Sequence, residues 1–316
     1  NTRSGLYEFC VMPFGLATAA TTFGQLMEVA MRGIGWNQCL IYLDDVVTMG
    51  RHFDGAISGL RQVLKRLRET GLTVEASRCR LLQESITVFG HEVRQEGVRC
   101  GAESVRAVRE MAAPSDLAEV KTFLGFVGYY RRFIRDFARL VEPLQILATK
   151  EAPFTWTDAQ QKAFEALWRP LTQSPLLIHP RWEDEFILDT DASGVAIGGV
   201  LSQELDGIEH VVAYASEALH GPQRNYCTTK LELLAVVSMI SRFRPFLQYR
   251  KFRLRTDHAS LRWLINFRDA EGWVAQWMAR VASLSFDLEH RAGKQHSNAD
   301  GMSRCGHCPR EECPGN

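Results

Sequence analysis

Hydrophobic and polar positions along this chain recur at two periods, one near 3.6 residues and one of two. The helical period is clearest over 56–69, where Ile57, Leu60, Val63, Leu64 and Leu67 share one face and Arg61, Lys65, Arg66 and Arg68 fill the rest. Gly71 supplies the stop. Helical spacing returns at Phe123, Phe126, Val127, Tyr130, Phe133, Ile134 and Phe137, after a start signal at Ser115-Asp116 with Glu119 as capping partner. Thr157-Asp158 opens another helix through Phe164 and Leu167, which Pro170 is expected to end. Thr228–Leu247 carries Leu233, Val236, Val237, Ile240 and Phe243 on one face; shorter helices are expected over Ser260–Ile265, Trp273–Leu284 and Asn298–Arg304.

Strands are expected at the apolar run Cys39–Leu43 and at Ile86–Phe89 and His91–Val93 around Gly90. Three more follow in succession at Phe186–Thr190, Ile197–Leu201 and His210–Ala215, the last two separated by Asp206-Gly207. Lys251–Thr256 and Phe286–His290 complete the set. The chain is therefore α/β (α+β) in class: mixed α/β over 1–95, mostly helical over 96–180, and an α/β unit with the order β-β-β-α-β-α over 181–304.

Four carboxylates stand at the ends of elements in this last unit: Asp191 in TDAS, Glu232 in KLELLAVV, Asp257 in RTDH and Asp300 in NADGMSR. Alternation puts Asp189 and Asp191 on one strand face, opposite Phe186 and Leu188, and Arg253, Arg255 and Asp257 opposite Phe252 and Leu254. Glu232 borders the apolar stripe of its helix and can point inward. Hard divalent cations prefer carboxylate oxygens, and phosphodiester hydrolysis by two metals needs several converging on ions about 3.5–4 Å apart. Each acid alone is better read as a solvated side chain; their joint placement favours a site. Asp189 is either a neighbour or a supporting acid. A second acidic signature, YLDD at Tyr42–Asp45, ends the first strand.

Composition adds bounds. The 316 residues carry zero net charge, which argues against a uniformly basic nucleic-acid binder but leaves room for local basic strips. No apolar run approaches the roughly 20 residues needed to span a bilayer. The first residue is Asn rather than Met, so the chain is expected to be cut from something longer. Cys10, Cys39, Cys79, Cys100 and Cys227 lack paired spacing and read as reduced thiols of an intracellular protein. The tail 305–316, with Cys305, His307, Cys308 and Cys313, reads as a linker rather than a zinc site, because four ligands in nine residues leave no room for a fold.

The stretches LDTDAS, GGVLSQ, VVAYAS, NYCTTKLELLAVV, RTDHASLRWL and HRAGKQHSNADGMSR resemble the RNase H domain of gypsy-class LTR retrotransposon Pol polyproteins. Upstream, VMPFGLATAATTF, YLDD, FGHEV, FLGFVGYYRRFI, EPLQIL and FTWTDAQQKAF resemble the reverse transcriptase of the same class, in the same order. The resemblance implies a partial reverse-transcriptase palm (1–95), a helical thumb and connection (96–180), an RNase H-like mixed five-stranded sheet with helices (181–304) and a Cys-containing linker. It implies hydrolysis of the RNA strand of RNA–DNA hybrids by Asp191, Glu232, Asp257 and Asp300 holding two Mg²⁺ or Mn²⁺ ions, with His290 near the scissile phosphate. In the palm it implies Asp44 and Asp45 as metal ligands and Phe14 and Gly15 near nucleotide and template. Gly90, His91, Arg131 and Arg132 are implied as primer and phosphate contacts. The third palm carboxylate usual upstream of PFGL is not in this sequence, so no polymerase activity is expected of it. Expected partners are the hybrid, primer–template nucleic acid, and the N-terminal polymerase part and downstream integrase of the same polyprotein, with no membrane. The expected location is the cytoplasm, a virus-like particle or the nucleus. The rival readings are a catalytically silent nucleic-acid-binding module and a decayed transposon copy.

Overall fold

A computed structural model describes residues 5–13, 15–149, 154–173, 175–257, 272–281 and 284–290. The chain divides into two compact units, Asn1–Gln83 and Glu84–Asn316.

The first unit contains α1 (Ala19–Ala30), the antiparallel pair β1 (Cys39–Tyr42) and β2 (Asp45–Thr48), and α2 (Phe53–Glu69). Its core is small: Met27 and Met31 from the first helix, Cys39 from β1, and Val63 and Leu67 from α2. Gly71 at φ 73° closes α2 as the spacing predicted. The Leu72 N–H bonds the Leu67 carbonyl at 2.9 Å and the Gly71 N–H bonds that of Arg68 at 3.2 Å, a Schellman closure that satisfies two orphan carbonyls. On the other face of the β-pair Leu40 and Tyr42 are exposed.

The second unit opens with a four-stranded antiparallel sheet of β3 (Ser85–Val88), β4 (His91–Arg94), β5 (Gly97–Cys100) and β6 (Leu177–Ile178), in that order. Between β5 and β6 run α3 (Ala102–Glu110), α4 (Leu117–Tyr129), α5 (Phe137–Thr149) and α6 (Asp158–Gln173). The compact units meet at Gln83/Glu84, whereas the sequence reading drew its boundary after 95; β3 and β4 belong to a sheet that also uses β5 and β6.

Three local expectations need correction. The mostly helical segment holds two strands, β5 and β6, too short to show a period. Pro170 does not end its helix: α6 continues to Gln173 because Leu171 and Thr172 are buried, and the Thr172 hydroxyl bonds the Trp168 and Arg169 carbonyls. The aromatic run from Phe123 to Phe137 is not one helix. It breaks after Tyr129 into a 3₁₀ turn at Arg131–Phe133, and Asp136 turns the chain at φ 54° before α5. At the start of α4 the Asp116 side chain accepts the Glu119 N–H, while the Glu119 carboxylate accepts from the Ser115 N–H and hydroxyl.

The remainder builds a five-stranded mixed sheet ordered β11-β10-β7-β8-β9. Its members are β7 (Phe186–Ala192), β8 (Ala196–Leu205), β9 (Ile208–Ala218), β10 (Lys251–Thr256) and β11 (Ser285–His290). The first three form an antiparallel meander, and β10 pairs in parallel with both β7 and β11. Asp206 and Gly207, at φ 52° and 78°, make the two-residue turn between β8 and β9. The helix α7 (Thr228–Leu247) joins β9 to β10, and α8 (Gly272–Val281) precedes β11. One sheet face, with Phe186, Leu188, Leu201, Phe252 and Leu254, packs on Leu233, Val236, Val237, Ile240 and Phe243 of α7. Full burial of one such side chain contributes about 1.5–3 kcal/mol, so this contact fixes α7 and its charged residues relative to the strands. The opposite face, through Val211 and Tyr214 of β9, packs against the cluster formed by the helices α3–α6. Ser260–Ile265 and Asn298–Arg304 lie outside the described residues.

Candidate metal centre

Three acids converge at one end of the five-stranded sheet. Asp191 comes from the last turn of the β7 pleat, Glu232 from the second turn of α7, and Asp257 directly follows β10. One carboxylate oxygen of each lies within 4.8 Å of the others. The parallel pairing of β7 with β10 carries Asp191 and Asp257 to the same sheet end, and the α7 contact brings Glu232 up beneath them.

Their environments differ. Asp191 and Asp257 are exposed, whereas Glu232 is only 3% exposed. The Glu232 carboxyl is pushed from its ordinary 4.5 up to about 8, by burial first, then by the charges of Asp257 and Asp191, against a hydrogen bond from the Ala192 backbone. Its Oε2 is buried without a hydrogen-bond partner. A buried, unbonded carboxylate oxygen is costly, and a cation between the three acids would compensate it. The donor set, all hard oxygens, suits Mg²⁺ or Mn²⁺.

His290 ends β11 beside this group, its Nε2 2.9 Å from the Asp257 carbonyl. A carbonyl only accepts, so Nε2 carries the proton and Nδ1 is left as an acceptor. Asp300 lies outside the described residues. Asp189 is turned away into a different set: Arg255 reaches Glu209 at 2.8 Å, Glu289 at 3.4 Å and Asp189 at 3.8 Å, all on the face away from α7. Sequence reasoning passed over this network. The alternation in KFRLRT placed Arg253 and Arg255 on the acid's face and could have pointed to it.

The remaining nominated residues sit elsewhere. Asp44 and Asp45 lie exposed at the β1–β2 turn, next to Leu43 at φ 53°. No third His, Cys, Asp or Glu among the described residues joins them in a ligand group. Gly15 is exposed, and Phe14 is outside the described residues. Gly90 and His91 are tied to the aromatic pair at the C-terminal end of α4. The Tyr129 hydroxyl bonds the Phe89 carbonyl at 2.6 Å, and that of Tyr130 bonds the Gly90 carbonyl at 3.1 Å. The His91 ring stacks on Tyr129 at 5.3 Å and meets Tyr130 edge-on. Burial, then the Arg132 charge, lowers the pKa of His91. Arg131 and Arg132 are exposed.

Comparison with known proteins bears on both units. Residues 1–93 match the family described as reverse transcriptase (RNA-dependent DNA polymerase), and residues 181–284 the RNase H-like domain found in reverse transcriptase. The chain is 33% identical over 308 residues to the retrovirus-related Pol polyprotein from transposon 297 of Drosophila melanogaster, covering 96% of this chain and 28% of the relative. It is 33% identical to that of transposon 412 from the same fly, over 96% of this chain and 25% of the relative. The Tf2-3 transposon polyprotein of Schizosaccharomyces pombe is 28% identical over 95% of this chain and 23% of its own length. The chain thus spans about a quarter of the length of these curated relatives. In fold it resembles the foamy viral protease-reverse transcriptase in complex with an RNA/DNA hybrid. The TM-score is 0.72 at 17% identity, over 96% of this chain and 41% of the other. The two matched domains are those of nucleic-acid-processing enzymes. By sequence the chain belongs to the Pol polyproteins of LTR retrotransposons, carrying a reverse-transcriptase region followed by an RNase H-like domain.

Proposed function

We propose that this chain hydrolyses the RNA strand of RNA–DNA hybrids, using Asp191, Glu232, Asp257 and Asp300 to hold two Mg²⁺ or Mn²⁺ ions. The convergence of three carboxylates around a buried, unbonded Glu232 oxygen carries this reading. When bound, such ions supply Lewis acidity toward water and the phosphate oxygens. The protein's part is positional. The packing of α7 on the sheet holds Glu232 in place, and the exposed Asp191 and Asp257 face the approaching backbone. His290, oriented by the Asp257 carbonyl, presents Nδ1 to take or return a proton near the leaving oxygen. Recognition of RNA rests on its 2′-hydroxyl and the shape of the hybrid minor groove.

In this reading 1–95 is palm, 96–180 thumb and connection, 181–304 the nuclease domain and 305–316 a linker. Gly90, His91, Arg131 and Arg132 guide primer–template backbone, and the Asp44–Asp45 pair belongs to a polymerase centre completed by other parts of the polyprotein. The test is cleavage of a labelled RNA–DNA hybrid by the whole chain with Mg²⁺. Loss of an outer partner of a metal ligand costs 10–100-fold, so Asp257→Asn should lower cutting by at least about 100-fold while hybrid binding holds or tightens. Cutting that survives the substitution refutes the site. A folded chain that binds hybrid without cutting it is the silent binding module instead.

A further inference from the structure

On the sheet face away from α7, a groove of about 520 Å³ opens between α6, the 3₁₀ turn Arg131–Phe133 and β9. Its floor is apolar, formed by Tyr214, Pro170 and the buried Phe133. Arg135, Lys162 and Arg169 line it as cations. Glu165 is the one acid of the lining, and Arg135 is paired with Asp136 at 3.9 Å. Lys162 and Arg169, both exposed, are the cations that face outward beside the apolar floor.

We propose that this groove holds a short unpaired stretch of a nucleic-acid strand, a base against Tyr214 and Pro170 and phosphates two linkages apart on Lys162 and Arg169. Lys162 and Arg169 stand two turns apart on one face of α6, about 10.5 Å along the axis at 1.5 Å per residue. That separation exceeds the spacing of neighbouring phosphates on one strand and suits phosphates two linkages apart. An apolar floor between cations is the combination that grips single strands, because every base has a π-face and every linkage a charge. The inference rests on the reading that the chain handles nucleic acid, and its position agrees with that reading. Tyr214 pairs with Val200 and Val200 with Asp189, two residues before Asp191. Two strand spacings across and one pleat repeat along separate the Tyr214 and Asp191 backbones by roughly 12 Å, so the groove and the acids share one sheet. The same chemistry would accept a free mononucleotide, and the test separates the two.

The probe is a fluorescein-labelled ten-nucleotide thymidine strand, bound to the whole chain in EDTA and followed by anisotropy between 50 and 200 mM salt. The substitutions are Lys162→Gln with Arg169→Gln, both at exposed positions, beside a control pair, Arg106→Gln with Lys121→Gln, exposed elsewhere on the same unit. The groove pair should weaken binding about tenfold and reduce the slope of log K against log salt by about 1.4, or 0.7 per lost contact. The control pair should change affinity less than about twofold. Parent-like binding by the groove variant, or an equal loss in the control, overturns the proposal. So does displacement of the strand by adenosine monophosphate at equal concentration, which would make this a mononucleotide site. A parent chain that binds the strand but does not cut hybrid in Mg²⁺ sinks the nuclease reading and leaves the groove standing.

Discussion

Glu232 and Asp191 bring carboxylate oxygens within 4.8 Å of one another, the first buried and the second exposed, and Glu232 Oε2 has no hydrogen-bond partner among the described residues. The strand's acid thus meets an acid brought in by the helix beneath it. The unsatisfied oxygen makes the centre sensitive to protons and cations.

The first consequence is a pH-dependent stability in the absence of cations. The Glu232 carboxyl rises from 4.5 to about 8 on folding, so the fold binds more protons than the unfolded chain between those values. Its contribution is fully present below 4.5 and is lost as pH rises through about 8. Glu232→Gln stays neutral, so in EDTA its Tm should gain on the parent's steadily across that window. A Tm difference that does not change with pH would mean that Glu232 ionises as freely folded as unfolded.

Cation binding should release protons. At pH 7 a carboxyl titrating at about 8 is mostly protonated, and ligation requires the anion. Calorimetry of Mn²⁺ binding in buffers of different ionisation enthalpy should report close to one proton released at pH 7, falling toward zero above pH 9. Glu232→Gln should bind more weakly and release almost none. Equal release by both would place the coupled proton on another group.

Gly199 of β8 faces α7 with no room for a side chain. A Cβ there would lie 2.7 Å from Met239 Cγ and 3.1 Å from the Asp189 carbonyl oxygen. Gly199→Ala should destabilise the fold by about 1–3 kcal/mol, the range for overpacked cores. In Met239→Ala the closest obstruction, Cγ, is gone, while Met239 Cβ and the Asp189 oxygen stay at 3.1 Å, so the two changes together should cost less than the sum of the singles. Denaturant unfolding of the four proteins measures this, and strict additivity would contradict the contact.

Gly90 answers to a different constraint. It sits at φ 72° in the β3–β4 turn, and a Cβ there would strike the Tyr130 hydroxyl. Gly90→Ala should cost about 1–2 kcal/mol for the left-handed backbone alone, and more for the collision. Tyr130→Phe removes the hydroxyl, so Gly90→Ala should cost measurably less in that background. The same loss in both backgrounds would leave only the backbone term.

The sheet that carries the acids was legible because its strands are long enough to show their alternation and are separated by turn residues or an amphipathic helix. β6 was not, since a strand of two residues displays no period, and β5, as short as β3 and β4, exists through its pairing with β4 and β6. The break after Tyr129 was hidden for another reason. Aromatic spacing stayed helical, while the two tyrosine hydroxyls were committed to the carbonyls of Phe89 and Gly90, far away in sequence. At the metal centre, sequence nominated Asp191, Glu232 and Asp257 through motifs, but no spacing stated that their oxygens approach one another. That depends on β10 pairing in parallel with β7 and on α7 lying across both. Burial of Glu232 was only half legible: the residue borders its apolar stripe, and the packing of α7 decides that it goes in.

The attachment of the helical segment to the outer sheet face bears on how this molecule can be dissected. The Ala138 N–H bonds the Ser216 hydroxyl of β9 at 2.9 Å, and Val211 and Tyr214, both half-buried, pack on the helices that precede the sheet. A recombinant piece trimmed to the RNase H-like family match at 181 would lose that donor and expose those side chains to water. The place to cut is ahead of Glu84, where the backbone itself divides.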